Sequence, residues 1–233
     1  MDDDRGAGGA AGKGKGADTP GAEAYLEAIY VLTVESRRVT SAKVAEYLAV
    51  SPVSVSRALS RLARAGALEA RTPSIRLTPD GWRRAAAVVR RHRLAERWLA
   101  DRLGLDLLAA HLEAERIEHA LSPRVEDALW QDLGRPGTCP HGNPIPDAQG
   151  QVPPVASAVP LADVAPGRYR VDRIFEQIEG LEPLLVFVQR EGLVPGADLE
   201  VEKAGPEPRV KTTGDGVGVP GRVAACLLVR ALP

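Results

Sequence analysis

The sequence predicts a mainly α-helical chain with small β parts. Three observations carry that class. Helix, short helix, tight turn, helix and hairpin signals follow one another between Pro20 and Thr78. Apolar residues then recur at three-four spacing to about Leu133, and beyond Tyr169 short strand-like runs take over. The first order is that of a winged helix-turn-helix. The rest reads as a helical middle and a small C-terminal β domain.

Each element has a local cause. Met1–Asp18 is low-complexity Gly/Ala/Asp/Lys, so residues 1–19 are expected to be a disordered tail. Tyr25, Leu26, Ile29, Tyr30 and Leu32 form one helical face that ends near Glu35, and Ser41–Leu48 is a short helix with Val44, Ala45 and Leu48 inward. Ser51 caps a third helix with Pro52 at its first position; Val55, Leu59 and Leu62 are its buried stripe and Gly66 stops it. Leu68, Ala70, Ile75 and Leu77 flank a turn at Thr72-Pro73-Ser74, a hairpin or wing. Thr78-Pro79 opens a long helix to about Leu103. Leu105–Leu121 and Ser122–Leu133 follow as helices. Gly134–Pro160 is Pro-rich and irregular. Tyr169–Glu176, Leu199–Lys203, Arg209–Thr213 and Val223–Arg230 read as strands, with a helix at Leu181–Glu191. The expected boundaries are 20–82 for the winged helix, 83–140 for the helical domain, 141–166 for a linker and 167–233 for the β domain.

Charge is distributed unevenly. The 233 residues sum to −1, but residues 37–93 hold 13 basic against 3 acidic side chains. A +10 segment that coincides with a winged helix is the footprint of a polyanion, so double-stranded DNA is the expected partner. The third helix would enter the major groove. Ser51, Ser54, Ser56, Arg57 and Arg61 would face DNA, with Arg57 long enough for a bidentate guanine contact. Lys43 would reach the backbone, and Arg71 and Arg76 would flank the groove from the wing. No apolar run reaches 18 residues, the N-terminus has no signal-peptide pattern, and Cys139 and Cys226 are too few for a disulfide framework. These readings make cytoplasmic residence without a membrane partner the expectation.

Three of the four histidines fall between residues 92 and 119. His92 and Glu96 lie four apart on the long helix. His111, Glu115, Glu118 and His119 fall within about 100° of arc on the next helix. Carboxylates and imidazoles beside an apolar stripe are costly unless paired. A metal ion of the Mn²⁺ or Fe²⁺ type, with Zn²⁺ or Co²⁺ possible, would satisfy them; so would ion pairing to Arg93 and Arg97. Cys139 and His141 form a Cys-x-His pair in a Pro/Gly-rich loop with no partner pair nearby, and are read as structural. No hydrolase motif or nucleophile–base pair is recognisable, so an enzyme is not expected. Two rivals remain: a winged-helix regulator of an organic ligand, with the His/Glu cluster structural, and a di-metal enzyme. Catalysis would not need the basic segment.

With these residues in place the chain resembles the diphtheria-toxin-repressor family of metal-dependent transcriptional repressors. The resemblance rests on Ala24-Tyr25-Leu26-Glu27-Ala28-Ile29-Tyr30, His92-Arg93-Leu94-Ala95-Glu96-Arg97, Glu115-Arg116-Ile117-Glu118-His119 and His141-Gly142-Asn143-Pro144-Ile145-Pro146. It implies a helical dimerisation domain, a small β-barrel of the ferrous-transport-accessory type, and a homodimer bound to palindromic operators of metal-homeostasis genes. It also implies a primary metal site at Glu115, Glu118 and His119. His92, Glu96 and His111 would make an ancillary site, with Glu176 and Glu179 contributed by the β domain. Glu115 stands where iron-type members carry Cys and manganese-type members carry Glu, which points to Mn²⁺ before Fe²⁺. Ala24 stands where the family has Met or Asp, so Glu27, or else Glu23, would supply the first-helix ligand.

Overall fold

The computed structural model describes residues 20–35, 38–69, 74–153, 157–175, 181–212 and 215–232. The N-terminal unit contains α1 (Pro20–Val34), α2 (Ser41–Tyr47) and α3 (Pro52–Arg64). The Thr40 hydroxyl caps α2 by accepting from the Lys43 amide, and Ser51 caps α3 by accepting from the Ser54 amide. Leu26, Ile29 and Tyr30 of α1 are fully buried in the core that also takes in Val44, Val55 and Leu62. This is the helical part of the winged helix. Among the described residues of the wing Leu68 bridges Leu77, backed by Glu69 N donating to Arg76 O. Arg71 lies outside the described residues.

A single long helix, α4 (Pro79–Leu103), carries the chain from the wing through the middle of the molecule. Thr78 caps it and Pro79 starts it, as the sequence predicts, and Gly104, in the left-handed region at φ 70°, ends it. Its 25 residues span about 37 Å. Gly81 in its first turn is required by contact: a Cβ there would stand 2.0 Å from the Ala67 carbonyl oxygen. α5 (Leu107–Ile117) packs back along α4, and α6 (Pro123–Asp132) follows.

The α5 boundary departs from expectation. Glu118–Ala120 is a 3-10 turn, closed by Leu121 N donating to Glu118 O, and not the last turn of a regular helix. The chain must leave the helix before Ser122-Pro123, because a residue preceding proline is driven out of the α region. Glu118 and His119 therefore sit at angles that a regular 100° step does not give.

The C-terminal domain is a six-stranded antiparallel sheet in the order β1-β6-β2-β3-β4-β5. Its strands are β1 (Val159–Pro160), β2 (Gly167–Ile174), β3 (Asp198–Lys203), β4 (Arg209–Lys211), β5 (Val217–Gly218) and β6 (Leu227–Ala231). Two helices accompany it, α7 (Leu181–Arg190), which also packs on α5, and α8 (Gly221–Cys226). The strand expected over Val223–Arg230 is half helix: the Ala-rich Val223–Cys226 stretch follows Pro220 as α8, and only Leu227 begins the strand. Residues 141–146, expected within a linker, are an ordered loop with His141, Asn143 and Ile145 buried. No helix among the described residues is long and apolar enough to cross a membrane.

Candidate metal centre and nucleic-acid interface

The α4–α5 pairing brings the three clustered histidines and their carboxylates together. At the middle is Glu96, with 0% exposure. One oxygen, Oε1, meets three imidazoles: His92 Nε2 at 2.9 Å, His111 Nδ1 at 2.9 Å and His141 Nδ1 at 3.3 Å. Its other oxygen, Oε2, is buried with no hydrogen-bond partner among the described residues. His92 Nδ1 meets Glu118 Oε2 at 2.5 Å, Glu118 Oε1 lies 3.5 Å from His119 Nε2, and His111 Nε2 is 3.4 Å from Glu115 Oε1. The residues expected to make two separate sites thus form one connected cluster, with Glu118 between His92 and His119.

On the open side of this cluster is a cavity of about 140 Å³. Glu27, His92, His111, Glu115, Glu118 and His119 line it, with Ala24, Tyr47, Leu48 and Leu181 as its apolar wall. Glu27 therefore lies on the cavity, whereas Glu23 is turned to the side: its carboxylate accepts from His119 Nδ1 at 2.5 Å and from Arg91 at 2.9 Å. Glu176 and Glu179 lie outside the described residues.

The fold sets a third side chain beside Cys139 and His141, which are read from the sequence as structural. Cys139, His141 and Glu96 are all buried and offer ligand atoms within 4.8 Å of one another, a second candidate cluster beside His92, Glu96 and His111. The missing partner comes from α4, 43 residues upstream of Cys139, which local spacing cannot show. Three α4 arginines on one face bring the loop there by donating to its carbonyls. Arg97 bonds to Thr138 O at 3.0 Å and Cys139 O at 2.8 Å. Arg93 bonds to Pro144 O at 2.6 Å, and Arg90 to Pro146 O at 2.7 Å. Arg93 and Arg97 are thus both engaged by the loop.

Charge in the cluster is mutually supported. For His92 burial works against the cation, but the charge of Glu96 and hydrogen bonds to Glu118 and Glu96 outweigh it and hold the imidazole well above the usual histidine range. His111, also opposed by burial, is pushed up to about 10 by hydrogen bonds to Glu115 and Glu96 and by the charge of Glu96. Burial likewise opposes the Glu96 carboxylate, yet the charges of His141 and His92 keep it well below the carboxylate range. Glu115 is lowered chiefly by its bond to His111. A raised His111 contributes stability that is full below pH 6.5 and lost as pH rises through about 10. The melting temperature of chelator-treated protein should therefore fall between pH 6.5 and 10. Scanning calorimetry across that window checks this, and a flat profile would remove the His111 proton from the account.

Under α3 the second candidate surface opens. A shallow groove of about 580 Å³ is lined by Tyr25, Ser54, Ser56, Arg57, Ser60, Arg61 and Arg64. Ser54, Ser56, Arg57 and Arg61 are exposed as expected, and so is Arg76; Lys43 is half-buried at the start of α2. Ser51 is also exposed, and its hydroxyl bonds to the Ser54 amide and hydroxyl at the helix start. Sequence reasoning missed Ser60 and Arg64, although Arg57, Arg61 and Arg64 follow three-four spacing that could have found them. It also missed Val53, which is 61% exposed at the tip of α3.

Comparison with known proteins agrees with this geometry. Residues 19–72 match the family described as iron dependent repressor, N-terminal DNA binding domain, and residues 78–147 match iron dependent repressor, metal binding and dimerisation domain. The iron-dependent repressor IdeR of Mycobacterium leprae is 36% identical over 190 residues, covering 77% of this chain and 83% of the relative. The diphtheria toxin repressor of Corynebacterium diphtheriae is 43% identical over 125 residues, covering 53% of this chain and 55% of the relative. A solved manganese-dependent transcriptional repressor in complex with manganese superposes with a TM-score of 0.77 at 31% identity, over 91% of this chain and all of that one. The chain belongs to the diphtheria-toxin-repressor family of metal-dependent, DNA-binding transcriptional repressors.

Proposed function

We propose that this repressor is switched by Mn²⁺, with Fe²⁺ the alternative, and acts in the cytoplasm as a homodimer on palindromic operators of metal-homeostasis genes. The observation that carries the reading is the orphaned, buried Oε2 of Glu96, whose other oxygen meets three imidazoles, two of which line a cavity together with three further carboxylates. A buried carboxylate oxygen without a donor costs free energy, and a divalent cation is a partner of the right charge. The donors fit. Glu27, Glu115, Glu118 and His119 form a hard oxygen/nitrogen set suited to Mn²⁺, with Glu27 serving in place of the family's ligand at the Ala24 position. Glu96 with Cys139 and His141, or with His92 and His111, would hold a second ion. Bound metal supplies fixed positive charge where the metal-free cluster relies on imidazolium protons.

The residues then act by linkage. Glu27 and Glu23 belong to α1 and hence to the reading head, while Glu115, Glu118 and His119 belong to the α5 end of the helical domain. Joining them fixes the head against α4 and α5, and this biases DNA affinity only if the DNA-competent arrangement holds metal more tightly. Trp98, Leu105, Ile117 and Leu121 pack against the small cluster of Ala95, Leu99, Ala110 and Ala114, and the same two helices expose Leu103 (54%) and Leu112 (40%). That apolar face is the one we assign to the dimer, where it would set the separation of two α3 helices. Arg57 would read bases, and Arg61, Arg76, Lys43, Ser54 and Ser56 would hold phosphates.

The test is operator binding by chelated protein with Mn²⁺, Fe²⁺, Co²⁺ or Zn²⁺ added back, read by fluorescence anisotropy. We expect stimulation of at least about tenfold, within the usual range of coupling. Binding unchanged by chelation would overturn the metal switch.

A further inference from the structure

We propose that Arg173 is a positioning residue that ties the metal centre, through the β domain, to the C-terminal end of α1. This would be a second coupling route beside the ligands at the N-terminal end of that helix. The proposal rests on the reading of Glu96, Cys139 and His141 as metal ligands.

The route is short. His141 lies against Glu96 by its side chain, and its carbonyl oxygen accepts from Ile174 N of β2 at 2.8 Å. Two residues on, Asn143 Nδ2 donates to Ile174 O at 2.9 Å. Between them Gly142, at φ +84°, leaves no space: a Cβ would stand 2.4 Å from Asp172 O and 2.8 Å from Arg173 Cα. The ligand loop and the end of β2 therefore move as one piece, because two hydrogen bonds and a close backbone contact fix three consecutive residues on each side.

From that piece Arg173 reaches into the reading head. Its Nη2 atom lies 3.3 and 3.4 Å from the two oxygens of Glu35, directly after α1, while Nη1 holds Asp172 at 3.0 Å. The arginine and Glu35 side chains are only 10% and 16% exposed, so water screens the pair weakly. Glu35 itself continues the hydrogen bonding of α1, its amide donating to Val31 O at 3.1 Å. α1 is thus held at both ends by charged contacts: Glu23 to His119 and Arg91 at its start, and Glu35 to Arg173 at its finish. A shift of the His141 loop would be passed to the far end of the helix that carries Glu27.

A double-mutant cycle tests this in the full-length protein. DNA affinity is measured with and without Mn²⁺ for wild type, Arg173→Gln, Glu35→Gln and the double variant, and Mn²⁺ affinity is followed separately by electron paramagnetic resonance. Each single change should lower the Mn²⁺ stimulation of DNA binding by about fivefold, the lower part of the range for coupling residues, with Mn²⁺ affinity of DNA-free protein held within twofold of wild type. The double variant should be no worse than either single, and Arg173→Lys should restore most of the loss. Unchanged stimulation, additive losses, or a parallel fall in Mn²⁺ affinity would each overturn the relay. A wild type that ignores Mn²⁺ would instead overturn the underlying metal reading and the relay with it. Glu35→Gln, at the edge of the fold, keeps the test decisive if Arg173→Gln does not fold.

Discussion

Glu96→Ala should be the most damaging single change in this chain. It removes the one carboxylate oxygen that faces His92, His111 and His141 together and leaves three imidazoles with their neighbours disarranged. Breaking a buried ion pair by deleting one partner costs about 3–5 kcal/mol. In a protein of this size that is on the order of 10 °C in melting temperature. The isosteric Glu96→Gln separates charge from shape: the cavity stays filled, but an amide cannot balance the imidazolium charge or serve as an anionic ligand. Metal-free Glu96→Gln should therefore melt lower than wild type at neutral pH, and the gap should shrink as pH rises towards 10, where His111 gives up its proton. Mn²⁺ binding by calorimetry should weaken by at least about a hundredfold, the upper range for loss of supporting groups at metal sites. Wild-type stability and metal affinity in both variants would remove Glu96 from the centre.

Arg57→Ala should have the largest effect on DNA. Arg57 is exposed on α3, one turn beyond the Ser54 amide that the Ser51 cap engages, in the groove shared with Ser56 and Arg61. Loss of a bidentate base contact costs about 1–3 kcal/mol and relaxes preference at the base concerned. Loss of a phosphate contact at Arg61 should weaken all sequences alike and reduce the salt slope by about one. Anisotropy titrations against operator and random duplex, at two salt concentrations, distinguish the two. If Arg57→Ala weakens operator and random DNA equally, Arg57 is a backbone contact and not a reader.

The reading head and the long helix were legible because their signals are local: caps at Ser51 and Thr78, prolines at 52 and 79, and the glycine at 66. The His/Glu pairs were legible for the same reason, since three-four spacing on α4 and α5 fixes a shared face. What local spacing could not supply was the third dimension. Glu96 meets Cys139 and His141 only because Arg93 and Arg97 pin a loop from far along the chain, and Glu118 faces His92 only because α5 tightens to a 3-10 turn before Pro123. Val223–Cys226 misled in another way: an apolar run of that length suits a strand or a helix, and the alanines after Pro220 decide for the helix.

The arginine clamp on α4 also bears on the order of events in the newly made chain. Residues 20–78, which hold the DNA-reading elements, leave the ribosome before Cys139 and His141 exist as partners for Glu96. Contacts between such distant residues form late, because chain closure must precede any gain from them. The instrument that reads DNA is thus assembled ahead of the part that governs it. The loop that closes over α4 comes after the head, and the strand that bonds to that loop through Ile174 comes later still.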